Sequence, residues 1–253
     1  MELSLTTLGL LSLCGLAAGF LDSIAGGGGL LTLPALLAAG LPPAQALGTN
    51  KLQSSFGSCS ATWYFARRGY IDFKQMRLAI ALTFLGSACG TLLVQQLDAS
   101  FLSGIIPFLL IAFALYFILS PRVGDEDSQR RLGHLGFALG LAMPVGFYDG
   151  FFGPGTGSFF AVGFIALAGF NIAKATAHSK LLNFTSNLAA LIFFALGGKL
   201  IWQVGLCMAV GQMIGARLGS RLVVRQGAKL IRPLIVLTSL VMSGKLLWQY
   251  WGA

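Results

Sequence analysis

Ten apolar stretches follow one another along the 253 residues, at 3–20, 30–40, 44–66, 74–97, 101–120, 132–152, 158–170, 173–198, 200–223 and 228–251. A membrane-crossing helix needs about 20 apolar residues, and lipid offers no partner to backbone N–H and C=O groups, so such a series dictates an all-α, polytopic transmembrane bundle. Composition agrees: 56% of the residues are hydrophobic and 10% charged, against roughly 25% charged in soluble domains. An ordinary soluble globule, intrinsic disorder, collagen and a disulfide scaffold are excluded on the same grounds. Cys14, Cys59, Cys89 and Cys207 are scattered through apolar stretches without paired spacing; they read as small packing residues, and no metal or cofactor is expected.

The formal net charge is +9. In a soluble chain that excess would suggest nucleic acid; in a polytopic one it reflects Lys and Arg gathered in cytoplasmic loops, so the expected partner is the lipid bilayer and no nucleic acid. Met1 to Phe20 lacks a basic start and reads as a retained first helix.

The chain divides into a first transmembrane repeat over 1–120, a polar linker over 121–131 carrying Arg122, Asp125, Glu126, Asp127, Arg130 and Arg131, and a second repeat over 132–253. Gly19-Phe20-Leu21-Asp22 with Gly26 answers Gly146-Phe147-Tyr148-Asp149 with Gly153, Asn50-Lys51-Leu52 answers Ser179-Lys180-Leu181, and Gly86/Gly90 answers Gly215/Gly219. The second stretch of each half is short. Basic residues sit at complementary ends: Arg67, Arg68, Lys74 and Arg77 in the first half, Arg217, Arg221, Arg225, Lys229 and Arg232 in the second. Under the positive-inside rule the two repeats are then inverted, with five crossings each and both termini outside. If the short stretches are re-entrant instead, the halves become parallel and the second half's charges go unexplained.

Of eight acidic residues only Asp22 and Asp149 lie in apolar surroundings, and Lys51 and Lys180 are the matching cations. A charge deep in the bilayer costs about 2.5 to 3.5 kcal/mol on insertion scales, so these four need mutual pairing or a functional reason. One reading pins helices together through Asp22 with Lys51 and Asp149 with Lys180. The other turns the lysines toward a polar cavity that attracts an anion, with a carboxylate carrying a proton or orienting a lysine.

Each aspartate precedes a glycine-rich break, Gly26-Gly27-Gly28-Gly29 and Gly153-Pro154-Gly155-Thr156-Gly157, followed by a short helix. No Gly-Lys-Ser/Thr ending makes these phosphate loops. Within a membrane, unwound glycine backbone before a helix exposes N–H groups and the positive end of the dipole, a device for holding anions. Lys51, Ser54 and Ser58 share one helix face, Lys180, Asn183 and Asn187 repeat that spacing, and Thr49, Asn50, His178 and Ser179 flank it. His178 reads either as a packing residue or as a proton carrier. Gly86/Gly90 and Gly215/Gly219 read as close-packing surfaces. No catalytic constellation is present: there is no His-Glu-x-x-His helix, no Gly-x-Ser-x-Gly elbow, and only two histidines, so no enzyme is expected.

The stretch Gly19 to Gly29, Pro34, and Ala46-Leu47-Gly48-Thr49-Asn50-Lys51-Leu52, with Gly146 to Gly157 and the region of Lys180 in the second half, resembles the sulfite exporter TauE/SafE family, the toluene sulfonate uptake permeases. The resemblance covers essentially the whole chain. It implies a multi-pass bacterial or archaeal inner-membrane permease of seven or eight helices for sulfite, sulfonates or related organosulfur anions. The expected function is therefore transport of a small anion by alternating access. Its substrate-binding residues would be Asp22, Gly26, Gly27, Gly28, Lys51, Ser54, Ser58, Asp149, Gly153, Gly155, Thr156, His178, Lys180, Asn183 and Asn187. The rivals are a channel or cation carrier that uses the aspartates as ligands, and a membrane-embedded protein that transports nothing. Coupled protons and a homo-oligomer stay open.

Overall fold

In lipid the segment that buries its own backbone hydrogen bonds is the helix, and helices account for the architecture. The computed structural model describes residues 4–98, 100–102, 105 and 129–226. The expected apolar stretch at 101–120 apart from residues 101, 102 and 105, the stretch at 228–251, the linker residues 121–128, and Lys229 and Arg232 lie outside the described residues. The first half contributes α1 (Leu5–Ala25), α2 (Gly29–Ala38), α3 (Pro43–Ala66) and α4 (Phe73–Val94). In the second half α5 (His134–Phe137) continues through a π-helical turn (Ala138–Ala142) into α6 (Met143–Phe151), followed by α7 (Thr156–Ala168), α8 (Ile172–Leu196) and α9 (Trp202–Gln226). No strand occurs among the described residues.

Both halves run in the order long, short, long, long, as the matched motifs predict. Among the described residues three helices, α1, α4 and α8, are long and apolar enough to cross a membrane by length and composition. α3 and α9 match them in length, but α3 carries Asn50, Lys51 and Gln53 and α9 carries Arg217, Arg221 and Arg225. Caps agree with the sequence: Ser4 accepts from Thr7 N–H, Asp72 from Gln75 N–H and Asn171 from Lys174 N–H, which satisfies donors that a helix start leaves open. The π turn sits where Pro144 follows. Proline clashes with the carbonyl four residues back, and one inserted residue relieves it, as Met143 N–H bonding to Ala138 O records.

Each half leans on the other. Gly15 and Gly19 of α1 lie against Met208 and Gln212 of α9, while Gly215 and Gly219 of α9 lie against Leu16 and Phe20 of α1. The same exchange joins α4 to α6: Gly86 and Gly90 meet Met143 and Phe147, and Gly146 and Gly150 meet Thr83 and Ser87. In every case a Cβ would strike a backbone carbonyl, so these are the small-residue interfaces that the glycine spacing predicts. Ser87 Oγ adds a bond to Ser186 O (2.6 Å) and Thr91 Oγ1 to Gly150 O (3.1 Å).

Helix directions follow from these contacts. α4 and α8 run the same way, with Asp72, Ser87 and Gln95 meeting His178, Ser186 and Phe193 in order. α3 and α8 run oppositely. The start of α3, at Gly48 and Thr49, meets Lys199 and Ile201 beyond the end of α8. Its end, at Tyr64 and Phe65, packs with Ile172 and Ala177 at the beginning of α8.

Among the described residues polar groups are gathered inside, beside apolar core clusters, and the exterior is apolar. Thr32, Asn50, Lys51, Gln53, Asp149, Lys180, Asn183, Ser186 and Asn187 are buried, while Leu10, Leu13, Leu85, Val210, Ile214 and Leu218 are exposed. Exposed apolar surface on this scale marks a face made for lipid. Trp63 and Trp202 lie exposed near opposite ends, where amphipathic rings favour the headgroup level.

Candidate functional site

The two glycine-rich breaks cross in contact. A Cβ on Gly26 would meet Gly157 and Ser158, and one on Gly29 would meet Pro154 Cα at 3.1 Å. Gly26, Gly153 and Gly155 have positive φ of 76°, 102° and 86°, a region where L side chains are strained, and no side chain fits between the crossing chains. Hydroxyls fasten the crossing: Ser158 donates to Ala25 O and Ser179 to Gly157 O.

Asp22 and Asp149 sit in the last turns of α1 and α6, directly before the breaks. Lys51 Nζ donates to Asp149 Oδ1 at 2.8 Å, and Lys180 Nζ donates to Asp22 Oδ2 at 3.0 Å and to the Asp22 main-chain carbonyl. The within-repeat pairing of Asp22 with Lys51 and Asp149 with Lys180 is thereby corrected: both pairs are crossed between repeats. The reason is the interlock of the halves, which sets α3 of one half beside the break of the other. Gly153 gives Lys51 its room, since a Cβ there would stand 2.5 Å from Nζ and 3.0 Å from Asp149 Oδ1. Gly157 does the same for Lys180, at 2.9 Å from its Nζ.

Around the pairs lies a polar cavity of about 20 Å³, lined by Asp22, Gly26, Gly29, Asn50, Lys51, Ser54, Asp149, Gly153, Gly155, Gly157, Asn183 and Asn187. A single water needs roughly 10 to 15 Å³ on this measure. The predicted residues Asp22, Gly26, Lys51, Ser54, Asp149, Gly153, Gly155, Asn183 and Asn187 are thus brought together. Lys180 joins them through Asp22, and Thr156 through Asp149, to whose Oδ1 its hydroxyl donates at 2.7 Å. Gly28 stands behind Asp22, and its N–H reaches Asp22 Oδ1 at 3.3 Å.

Six predicted residues lie off the lining: Gly28, Thr156 and Lys180, each bonded to one of the aspartates, and Gly27, Ser58 and His178. Gly27 has nothing nearer than Leu30 Cδ1, 3.8 Å from a Cβ built on it. Ser58 is buried and spends its hydroxyl on Ser54 O at 2.7 Å, within its own helix. His178 is held at both ring nitrogens: Nδ1–H donates to Lys174 O (2.8 Å), and Nε2 accepts from Asp72 N–H (3.2 Å). Phe164 and Phe170 pack on its ring.

A second polar cluster adjoins the lysine stripe; the sequence points to its Asn50 and Ser54 but not to Thr32 or Gln53. Asn50 Oδ1 accepts from Thr32 Oγ1 (2.5 Å) and Gln53 Nε2 (2.8 Å), and Gln53 also reaches Ser54 Oγ (3.0 Å). Its signal was present, because Gln53 follows Asn50 at i+3 on α3, one position away from the lysine stripe. On the other side Asn187 Nδ2 donates to Asn183 Oδ1 at 3.0 Å. The cavity therefore combines the Lys51 ammonium, two carboxylates, amide groups from both halves and a helix N-terminus, with the Lys180 ammonium behind Asp22, a set able to hold a small charged solute. Among the described residues no group of three or more His, Cys, Asp or Glu could hold a metal.

A family model described as Sulfite exporter TauE/SafE matches residues 11–246. Similar chains include "Probable membrane transporter protein YfcA" of Escherichia coli (strain K12), 58% identical over 97% of this chain and 91% of that protein. "Probable membrane transporter protein ORF9" of Sinorhizobium sp is 50% identical over 97% of this chain and 94% of its own. A "Probable membrane transporter protein" of Haemophilus influenzae is 47% identical over 98% of each. No solved structure matches.

Proposed function

The chain belongs to the sulfite exporter TauE/SafE family and is a multi-pass membrane transporter, and from that premise we propose that it carries a small anion across the cell (inner) membrane by alternating access between two inverted repeats. The anion is sulfite, a sulfonate or a related organosulfur compound. One observation carries the reading: two ion pairs from equivalent positions meet where the two glycine breaks cross, with Lys51 and both aspartates lining a single polar cavity and Lys180 held on Asp22. Four charges in an apolar bundle work against insertion. Their convergence on one cavity supports a charged solute, which enters by drawing a lysine away from its carboxylate.

Three further features support the mechanism. The equivalent helices α3 and α8 run in opposite directions, as inversion requires. Charge is concentrated at one end: Arg67, Arg68, Lys74 and Arg77 flank the turn after α3, Lys174 begins α8, and Arg217, Arg221 and Arg225 end α9. The opposite end has Lys199 and Asp98, so the positive-inside rule assigns the basic end to the cytoplasm. The cavity has room for water but not for a sulfonate, so loading requires the halves to separate, and both ion pairs bridge them.

The experiment is a flux screen in proteoliposomes with sulfite, sulfonates, thiosulfate and sulfate, with and without a pH gradient. Saturable flux of at least one of these anions is expected. Cation flux with no movement of any anion would replace this reading with that of a cation carrier.

A further inference from the structure

Asp22 and Asp149 are equivalent in sequence and unequal in surroundings. Asp22 uses both oxygens, Oδ1 for the Gly28 N–H and Oδ2 for Lys180, on a side chain 14% exposed. Asp149 crowds both its donors, Lys51 at 2.8 Å and Thr156 Oγ1 at 2.7 Å, onto Oδ1. Its Oδ2 is buried with no hydrogen-bond partner, on a side chain 2% exposed. A carboxylate oxygen removed from water and given no donor loses its hydration without compensation. Asp149 lines the cavity, which has room for a water.

The groups around it are few. α3 brings Lys51, which Asp22 on α1 also attracts at longer range. α8 brings Lys180, held on Asp22. α7 brings the Thr156 hydroxyl, and α4 brings Ser87 and Thr91, both bonded to main-chain carbonyls. The ionisable groups at the start of α4, Lys74 and Arg77, are two turns or more along the helix from Ser87. On α6 itself, Tyr148 donates to Pro154 O at 2.5 Å. A metal ion at Oδ2 would face the Lys51 ammonium, and the cavity's other carboxylate, Asp22, is already engaged by Lys180 and the Gly28 N–H; a proton needs only the one oxygen.

We infer that Asp149 Oδ2 is the proton-binding atom that couples transport to the proton gradient, an assignment that rests on the anion-carrier reading. A proton delivered by cavity water forms an O–H bond at Oδ2, and the carboxylate becomes a neutral acid. Lys51 keeps its ammonium and loses its counter-charge, which leaves it for the anion. Loss of the proton restores the pair and releases the anion. One proton thus accompanies one anion in the same direction.

Infrared difference spectroscopy of the protein in lipid, between acid and alkaline pH, tests the assignment with no anion present. Beside the bands that the other carboxyl groups give in every variant, one further carboxylic-acid C=O band is expected in the wild type and in Asp22→Asn, lost in Asp149→Asn, and shifted in Asp149→Glu, which keeps the test valid if the asparagine variant misfolds. No shift of that further band in Asp149→Glu, or its survival in folded Asp149→Asn, overturns the assignment while leaving the anion carrier intact. In proteoliposomes, methanesulfonate movement is expected to carry about one proton per anion. Methanesulfonate movement without protons refutes the coupling, and no movement of methanesulfonate or of any anion in the flux screen removes the carrier reading and the coupling with it.

Discussion

The Lys51 ammonium donates a 2.8 Å hydrogen bond to Asp149 Oδ1, so a helix in the middle of the first half is tied to the first long helix of the second. Lys180 returns the connection to Asp22 at 3.0 Å. Neutralisation of the buried charges is therefore a property of the assembled halves. Each half carries one aspartate and one lysine but pairs neither within itself, and any motion that parts the halves at this level must break or trade the pairs.

A double-mutant cycle reads the crossing. Removing one partner of a buried pair leaves an uncompensated charge, a loss of about 3 to 5 kcal/mol. Asp149→Asn should lower stability in detergent by about that amount, and Lys51→Met in the same chain should recover most of it. Lys180→Met should not, but should rescue Asp22→Asn. Unfolding midpoints in detergent measure this, and rescue by the within-repeat lysine would contradict the crossed arrangement.

The glycine breaks make a graded steric prediction. Gly157→Ala would bring a methyl within 2.7 Å of Gly26 Cα, backbone that cannot swing aside; overpacking of this kind costs about 1 to 3 kcal/mol. Gly26→Ala adds strain at φ 76° to the same clash. Gly27→Ala meets nothing closer than 3.8 Å and should behave like the wild type. Equal melting shifts for all three would show that the breaks do not cross in contact.

Much of this was legible in the chain. Asp22 and Asp149, the glycine breaks, and Lys51 and Lys180 could be found because a charge or a glycine run inside an apolar stretch has few structural explanations, and repetition makes chance unlikely. Gly86/Gly90 and Gly215/Gly219 could be read as packing faces, since small residues four apart line one side of a helix. Which aspartate meets which lysine could not be read, because periodicity within a repeat says nothing about how two repeats interlock. Ser58 was misleading for a related reason: helical spacing puts it on the lysine face, yet a serine hydroxyl can turn back to its own helix. The π turn before Asp149 had only Pro144 as a clue.

His178 illustrates the same limit and gives a third prediction. Its ring joins the Asp72 N–H before α4 to Lys174 O on α8. His178→Phe should leave the Asp72 N–H unpaired and lower stability by about 1 to 3 kcal/mol. It should not shift the pH profile of transport. A displaced profile in a variant of normal stability would restore the histidine to the proton path.

Orientation supplies a fourth. With the basic end in the cytoplasm, a cysteine at Arg68 should resist a membrane-impermeant thiol reagent added to intact cells, and one at Lys199 should react. Cys59 and Cys89 are exposed on helices that face lipid, so a cysteine-free background keeps the readout clean. The reverse labelling pattern would invert the assignment.

The account stands most directly on anion flux through the paired lysines. Lys51→Met and Lys180→Met, each checked for membrane insertion, should lose saturable anion flux in proteoliposomes by at least about tenfold, equivalent to ~1.4 kcal/mol of lost interaction. Wild-type flux in both variants would contradict it, because the buried ammonium groups would then hold the fold together without touching the solute.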